Sequence, residues 1–385
     1  MRKIAVITGT RAEFGILTPL LEKIKNHSEL ELQIVACAMH LSPEFGYTIK
    51  DIETSGFTVD KKIECLLSSD SAVGVSKSIG LALISFAEVF EEISPDLIII
   101  LGDRSEMLAA ATGATIANIP IAHIHGGETT EGAYDESLRH AITKMSYLHF
   151  ASTNKYKKRI IQLGESPDRV YNVGALGLDS VKELELLNKK EFQSAIGFDL
   201  NKRNILITYH PVTLETKTAS SQFESILTAL DELEDTSFIF THANSDKEGR
   251  VINRMIEEYV SNHSPKAIAF KSMGQLKYLS ALKHVDIVLG NSSSGILEVP
   301  FFNIPTIDIG DRQKGRIASE SVIHSEVDSK AISKAIEKAF NPNFRQSIQK
   351  QEQIYGDGNS SDKILEVILQ AKIEDLKKPF YDINF

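Results

Sequence analysis

The chain has 385 residues, 42% of them hydrophobic and 24% charged, with a formal net charge of −10, the make-up of an ordinary globular protein. At roughly 100–200 residues per domain this length predicts two domains. The acidic balance, with no long basic run, excludes nucleic acid and anionic membrane as expected partners, although arginines and helix N-termini can still build a local anion site.

The chain opens on Met1-Arg2-Lys3-Ile4-Ala5-Val6-Ile7-Thr8. Its apolar run is too short for a signal peptide and reads as a first strand. No segment reads as the run of about 18 apolar residues that spans a bilayer. Cys37 and Cys65 form no CxxC or metal motif, so both are expected as reduced thiols in a cytoplasmic protein. Strands are predicted at 3–8, 31–36, 97–101, 121–125 and 170–173, with helices over 73–93, 106–118 and 137–148 between them. Near-continuous apolar strands alternating with helices imply a parallel sheet covered on both faces. The pattern pauses near 174–179 and restarts, with strands at 205–209, 237–240, 267–270, 287–289 and 306–309. Helices are predicted at about 222–233, 247–262, 274–284 and 329–339. A loop at 356–361 precedes a last helix over about 362–377. The expected fold is therefore α/β, two doubly wound Rossmann-like domains over 1–175 and 176–360, with 361–385 as a terminal helix.

Ligands of such folds sit beyond the carboxyl ends of the strands, and polar motifs fall there repeatedly. Thr8-Gly9-Thr10-Arg11-Ala12-Glu13-Phe14-Gly15 is neither GxGxxG nor GxxxxGK, which argues against dinucleotide and Walker sites. It is either a cradle for an anion with Arg11 as donor or a plain tight turn. Gly102-Asp103-Arg104 follows the most apolar strand, and Asp103 is either functional or a helix cap. His123-Ile124-His125-Gly126-Gly127-Glu128, followed by Asp135-Glu136-Ser137-Leu138-Arg139-His140, collects three histidines, an arginine and several carboxylates in about eighteen residues. On a strand His123 and His125 would point the same way. No cysteine or HExxH pattern completes a metal site. The Asp135–His140 stretch places four ionisable groups within about one and a half helical turns; the bland alternative is an acid-rich first turn favoured by the helix dipole. His149 and His284 fall at helix-to-strand junctions and read as structural.

In the second half, His210 follows 205–209, and His242 and Asn244 follow 237–240. Gly290-Asn291-Ser292-Ser293-Ser294-Gly295-Ile296-Leu297-Glu298 offers hydroxyls and unpaired amides at a helix start, which suits a phosphate. Glu298 lies four residues after Ser294, on one helix face, where it could accept hydrogen bonds from a ribose; a serine N-cap is the alternative. Gly310-Asp311-Arg312-Gln313-Lys314-Gly315-Arg316 is either a basic flap over an anion or a mobile surface loop.

Together the stretches TGTRAEFG, GDR, HIHGGE, DESLRHAITKMS, YHPVT, GNSSSGILEVP and GDRQKGR resemble the hydrolysing UDP-N-acetylglucosamine 2-epimerases of sialic acid synthesis, over nearly the whole chain. The non-hydrolysing epimerases are similar but more distant. The resemblance implies a glycosyltransferase-B-like fold with UDP held mostly by the second domain and the last helix packed back on the first. It implies elimination of UDP to 2-acetamidoglucal, then hydration to N-acetylmannosamine, with no metal or redox cofactor.

The family's catalytic carboxylates carry over to Asp103 and Asp135. A third position, glutamate in some relatives, falls on His125, which leaves the base open between His125, Glu128 and Glu136, beside Arg139 and His140. Uridine contacts carry over to Ser292, Ser293 and Glu298, with Tyr278 near the base, and His210 to the diphosphate. Arg11, Asn291, Arg312 and Arg316 complete the expected UDP site with His242 and Asn244. The same chemistry on UDP-2,4-diacetamido-2,4,6-trideoxyglucose, or a glycosyltransferase of the same fold, are the alternatives. A homodimer or homotetramer is expected.

Overall fold

The computed structural model describes residues 1–67, 71–129, 134–211, 219–243, 249–373 and 375–383. The chain forms two compact units, Met1–Ser180 with Tyr355–Phe385, and Val181–Ile354. Each is an all-parallel sheet covered by helices.

The first unit has seven strands: β1 (Arg2–Thr8), β2 (Leu30–Cys37), β3 (Lys61–Ile63), β4 (Leu97–Leu101), β5 (Ile121–Ile124), β6 (Leu148–Ala151) and β7 (Val170–Asn172). Their order is β3-β2-β1-β4-β5-β6-β7. β4, Leu97-Ile98-Ile99-Ile100-Leu101, is buried throughout, because helices close both faces of the sheet. The order reverses between β1 and β4, which opens a crevice at their carboxyl ends. β3 and β6 were not expected from the sequence. Each is only three or four residues long, and the apolar Leu148 that continues the helical pattern belongs to β6, so the helix ends at Met145.

The Ala72–Ile93 helix corrects a second expectation. An 18-residue window of it has mean hydropathy 1.5, long and apolar enough to cross a membrane by length and composition. Here it buries Gly74, Ser78, Ala82, Phe86, Val89, Phe90 and Ile93, while Val73, Leu81 and Ile84 stay exposed on its other side.

The terminal helix, Ser360–Gln370, is seven residues shorter than the 362–377 pattern at its far end. It packs on the Arg11–Lys25 helix. Its first amides are capped from a distance: buried Asp179 accepts from Ser360 N–H at 2.9 Å and Ser361 N–H at 2.6 Å. At its other end Arg2 donates to the Ile368 and Ala371 carbonyls at 2.7 and 3.2 Å, satisfying acceptors that a helix end otherwise leaves orphaned. Farther on, Lys378 donates to buried Glu165 at 2.9 Å, and Lys144 and His149 contact the same carboxylate at 2.6 and 3.1 Å. Against burial, these hydrogen bonds hold Glu165 at about 2.

The second unit orders β8 (Arg203–Thr208), β9 (Thr236–Thr241), β10 (Ala267–Phe270), β11 (Ile287–Gly290), β12 (Thr306–Ile309) and β13 (Val322–Ser325) as β10-β9-β8-β11-β12-β13. β13, a four-residue edge strand, was not expected. The switch point here lies between β8 and β11.

Candidate active site

In the first unit the end of β5 turns sharply. β5 stops at Ile124, and His125 takes φ 65°, an uncommon conformation for a residue with a side chain. His123 and His125 therefore do not share a strand face, contrary to the period-two expectation. His123 is fully buried: Nε2 donates to the Gly102 carbonyl at 2.7 Å and Nδ1 faces the Thr143 hydroxyl at 3.1 Å. Burial lowers it to about 3, so it is a neutral strut. His125 Nε2 accepts from Leu176 N–H at 3.3 Å, while Nδ1 lies 3.6 Å from Glu128 Oε1. These partners assign the proton to Nδ1. Gly127 has φ 74°, and a Cβ there would lie 2.6 Å from the Tyr156 carbonyl oxygen, so the turn admits glycine alone.

This turn delivers Glu128 into a buried network. Its Oε1 accepts from Ser152 at 2.6 Å and its Oε2 lies 3.4 Å from Arg139 Nη1. Arg139, buried on the Asp135–Met145 helix, donates through Nη2 to Asp103 at the end of β4. A charge-assisted contact of this kind orients both groups. It also decides between the two readings of Asp103: no side chain caps the following helix, and Asp103 faces Arg139 instead. Asp135, first residue of its helix, sits close enough to Asp103 that burial and then that carboxylate raise its own carboxyl above the usual range. Glu136 Oε1 lies 3.3 Å from His140 Nε2, a side-by-side pair one turn along. The structure thus brings Asp103, His125, Glu128, Asp135 and Arg139 into one acid–base constellation, with Glu136 and His140 beside it.

Three participants escaped the sequence reading: Glu13, Arg104 and Glu106. Thr10 and Glu13 form a capping box, a T-x-x-E signal legible in the sequence. Arg104 Nε lies 2.6 Å from Glu106 Oε1 and 3.7 Å from Glu13 Oε1. Arg11 is 70% exposed and lies 3.2 Å from Asp51.

The second unit's switch point is organised around the Asn291 amide. Asn291 and His210 exchange hydrogen bonds through the Asn291 amide and the His210 backbone, both at 2.8 Å. The Asn291 carbonyl accepts from Arg312 Nη1 and Gln313 Nε2, each at 2.9 Å. Asn291 therefore organises the His210 and Arg312 loops with groups a ligand would otherwise need. The serine-rich helix is a single turn, Ser294–Leu297, with Glu298 just past it. The i to i+4 relation survives: Glu298 N–H donates to the Ser294 carbonyl at 2.9 Å, Tyr278 donates to the Ser294 hydroxyl at 2.7 Å, and that hydroxyl reaches the Glu298 carboxylate. Burial raises both Tyr278 and Glu298. Ser292 and Ser293 are half-buried at the same turn, and Arg316 is half-buried on the Gly310–Arg316 loop. His242 Nε2 lies 3.2 Å from Glu257. Asn244 lies outside the described residues.

Comparison with known proteins shows the family. The family model for UDP-N-acetylglucosamine 2-epimerase matches residues 22–369. A GDP/UDP-N,N'-diacetylbacillosamine 2-epimerase (hydrolyzing) from Campylobacter jejuni is 47% identical over 85% of each chain. Polysialic acid biosynthesis protein P7 from Escherichia coli is 37% identical over 100% of this chain and 98% of its own. A UDP-N,N'-diacetylbacillosamine 2-epimerase (hydrolyzing) from Legionella pneumophila is 36% identical over 96% of each. The crystal structure of UDP-GlcNAc 2-epimerase from Neisseria meningitidis bound to UDP-GlcNAc superposes with a TM-score of 0.82 at 21% identity, covering 96% of this chain and 100% of that one. The chain belongs to the UDP-N-acetylglucosamine 2-epimerase family and is a UDP-sugar 2-epimerase.

Proposed function

We propose that the chain is a hydrolysing epimerase that converts a UDP-2-acetamido sugar and water to UDP and the free C2-inverted sugar, and that UDP-N,N'-diacetylbacillosamine is its substrate ahead of UDP-N-acetylglucosamine. The observation that carries the reaction is the pair Asp103 and Asp135, with Arg139 locked on the first and the second half-buried and raised. A weakly acidic C2 proton needs a base of raised basicity, which Asp135 supplies, and Asp103 held by Arg139 supplies fixed charge. Proton loss at C2 expels UDP from C1 and leaves a glycal. Water then adds its oxygen at C1 while a proton returns to C2 on the opposite face, so no oxidant or reductant is consumed. Positioned acid–base groups of this kind are worth ~10²–10⁴-fold each.

In the second unit Ser292, Ser293 and Glu298 are the proposed uridine contacts, with Tyr278 holding Ser294 in place, and His210 and Arg316 the diphosphate contacts. The diacetamido substrate is favoured by the 47% identity to the C. jejuni enzyme. UDP-N-acetylglucosamine, leading to N-acetylmannosamine for sialic acid synthesis, is the second reading, favoured by the full-length match to the polysialic acid protein. We also propose a cytoplasmic homo-oligomer that uses the exposed Val73, Leu81 and Ile84 face; Ile84→Lys is expected to halve the mass measured by light scattering, and an unchanged mass refutes that face.

The test offers each nucleotide sugar alone in D₂O, with the GDP form of the diacetamido sugar as a third arm. UDP and free sugar in equal amounts, with deuterium at C2 and faster turnover of the diacetamido substrate, is the expected result. Faster turnover of UDP-N-acetylglucosamine reverses the order of the two readings. Recovery of an intact C2-inverted UDP-sugar, or UDP release only when an acceptor is added, overturns the hydrolysing assignment.

A further inference from the structure

The Asp135–Met145 helix carries Arg139 to Asp103 and Glu128, yet little apolar packing holds it. Its buried side chains are Arg139, Ile142 and Thr143, with Met145 packed partly buried against the core. A surface helix is ordinarily fixed by a whole apolar stripe. This one is fixed by polar ties along its length. Arg139 pairs with Asp103 and Glu128, and one turn on the Thr143 hydroxyl meets His123 Nδ1 at 3.1 Å. The last turn is tied to a segment more than two hundred positions away.

Lys378 makes that tie. Its ammonium donates to the Lys144 carbonyl at 2.7 Å, the Ser146 carbonyl at 2.7 Å and Glu165 Oε2 at 2.9 Å, so all three of its N–H donors are used. The Lys144 carbonyl is one of the last four that a helix leaves without an internal partner, and the helix dipole favours a cation there. Glu165, 1% exposed, also takes Lys144 Nζ at 2.6 Å, so one carboxylate grips both the helix and the Lys378 segment. Two residues on, the segment is seated. A Cβ at Gly164 would collide with the Phe380 ring, Lys144 Nζ lies 4.8 Å from the centroid of that ring, and Tyr381 N–H donates to the Gly164 carbonyl at 3.0 Å. A strap that served folding alone would bury its aromatic. Phe380 stays mostly exposed, and the polar atoms of Lys378 are spent on one helix end and the loop beside it.

We propose that Lys378 is a positioning residue for the epimerase reaction: as the lock of a strap over 375–381, it fixes the last turn of the Asp135–Met145 helix and so holds Arg139 in register against Asp103. This rests on the reading of Asp103 as part of the acid–base constellation. Lys144 follows Arg139 by five residues, about 7.5 Å of continuous helix. A helix whose turns are hydrogen-bonded to one another carries a shift at that end to Arg139.

The test uses the full chain, well below its melting temperature, with whichever nucleotide sugar it turns over. Lys378→Met keeps the apolar stem and removes the three donors. Phe380→Ala unseats the strap without touching a polar group of the helix. Lys378→Met is expected to lower kcat about tenfold or more, towards the ~10²-fold that a 1 Å misplacement costs. KM and calorimetric UDP affinity should stay within about threefold, since the loss falls on the transition state. Phe380→Ala lowers kcat in the same direction by less. In both variants amide hydrogen exchange should quicken over 135–147 and stay at the wild-type rate in the second unit and in the Ser360–Gln370 helix. Wild-type kcat in Lys378→Met overturns the proposal, and so does a lower kcat with unaltered exchange over 135–147. Loss of UDP affinity, or faster exchange throughout the chain, overturns it too, by making the strap a general fold support. A wild-type chain that turns over no nucleotide sugar defeats the functional reading itself, whereas wild-type turnover with kcat unmoved in Lys378→Met defeats this inference only.

Discussion

The carboxyl edges of the two sheets occupy equivalent places in similar folds yet differ in how densely they pair charges. The first edge buries charge: Glu13, Arg104 and Glu106 at the switch point, and Glu128, Arg139 and Asp103 beside it. The second is held mainly by neutral groups, the Asn291 amide against the His210 backbone and the Tyr278 and Ser294 hydroxyls, with Glu298 and the buried Asp308, 2.9 Å from His324, as its acids. Buried ion pairs seldom add net stability over apolar packing, which accords with the chemistry proposed for the first edge. Satisfied amides and hydroxyls rigidify a surface without titrating, which suits recognition of a constant nucleotide. Under the proposed function, turnover belongs to the first unit and affinity to the second, and that division can be broken at either.

The largest expected effects are on turnover. Asp103→Asn and Asp135→Asn should each lower kcat by about a thousandfold or more while UDP binds with near wild-type affinity in calorimetry, since each removes a positioned acid–base or electrostatic group. Near-normal rates in both variants, or loss of UDP affinity matching the loss of rate, would erase the distinction between the edges. Next comes stability. Glu128→Ala leaves Arg139 with one carboxylate fewer in a buried site, and breaking such a pair costs about 3–5 kcal/mol. Asn291→Ala strands two neutral backbone groups of His210, at about 1–3 kcal/mol each. Urea midpoints should therefore fall in both variants by comparable amounts; an unchanged midpoint in Glu128→Ala says that the first edge holds no buried ion-pair network.

The charged edge was half legible in the sequence, and the reason is geometric. His125, Glu128, Asp135 and Arg139 lie within fifteen residues of one another, so their density alone marks them, and Asp103 follows the most apolar strand. Glu13 and Glu106 stand 93 positions apart, and nothing local says that Glu106 turns inward under Gly9 rather than out to water. Periodicity placed the long strands because burial on both faces makes them continuously apolar. It missed β3, β6 and β13, where Lys61-Lys62, His149 and His324-Ser325 interrupt the short apolar runs. The turn at His125 was invisible for a similar reason: a single backbone angle redirects the side chain, and only the two glycines after it hint that the chain leaves the strand there.

Glu13 offers a pH test of the charged edge. Its carboxyl is raised from the ordinary glutamate range to about 7, so between about 4.5 and 7 the folded chain holds a proton that the unfolded chain releases. Stability from this group is present below that window and is lost as pH rises through it. Glu13→Gln keeps the capping-box contact and removes the titration, so the variant should gain on wild type between pH 5 and pH 8, by up to about 3 kcal/mol at 1.36 kcal/mol per unit. Melting curves at the two pH values that stay parallel mean that the Glu13, Arg104 and Glu106 cluster carries no excess charge.

The smallest expected effect lies on the second edge, and it bears most directly on the division of labour. Glu298 is partly buried and raised by that burial, with the Ser294 hydroxyl as its contact. Glu298→Gln preserves the shape and one acceptor while removing the negative charge that a ribose diol would meet. An interaction made equally in the ground and transition states changes KM and leaves kcat alone. The variant should therefore raise KM about tenfold, which is the 1.4 kcal/mol of one charge-assisted hydrogen bond, with kcat within about threefold of wild type. A fall in kcat at constant KM would place Glu298 in the transition state, and the second edge would then take part in expelling UDP rather than only holding it.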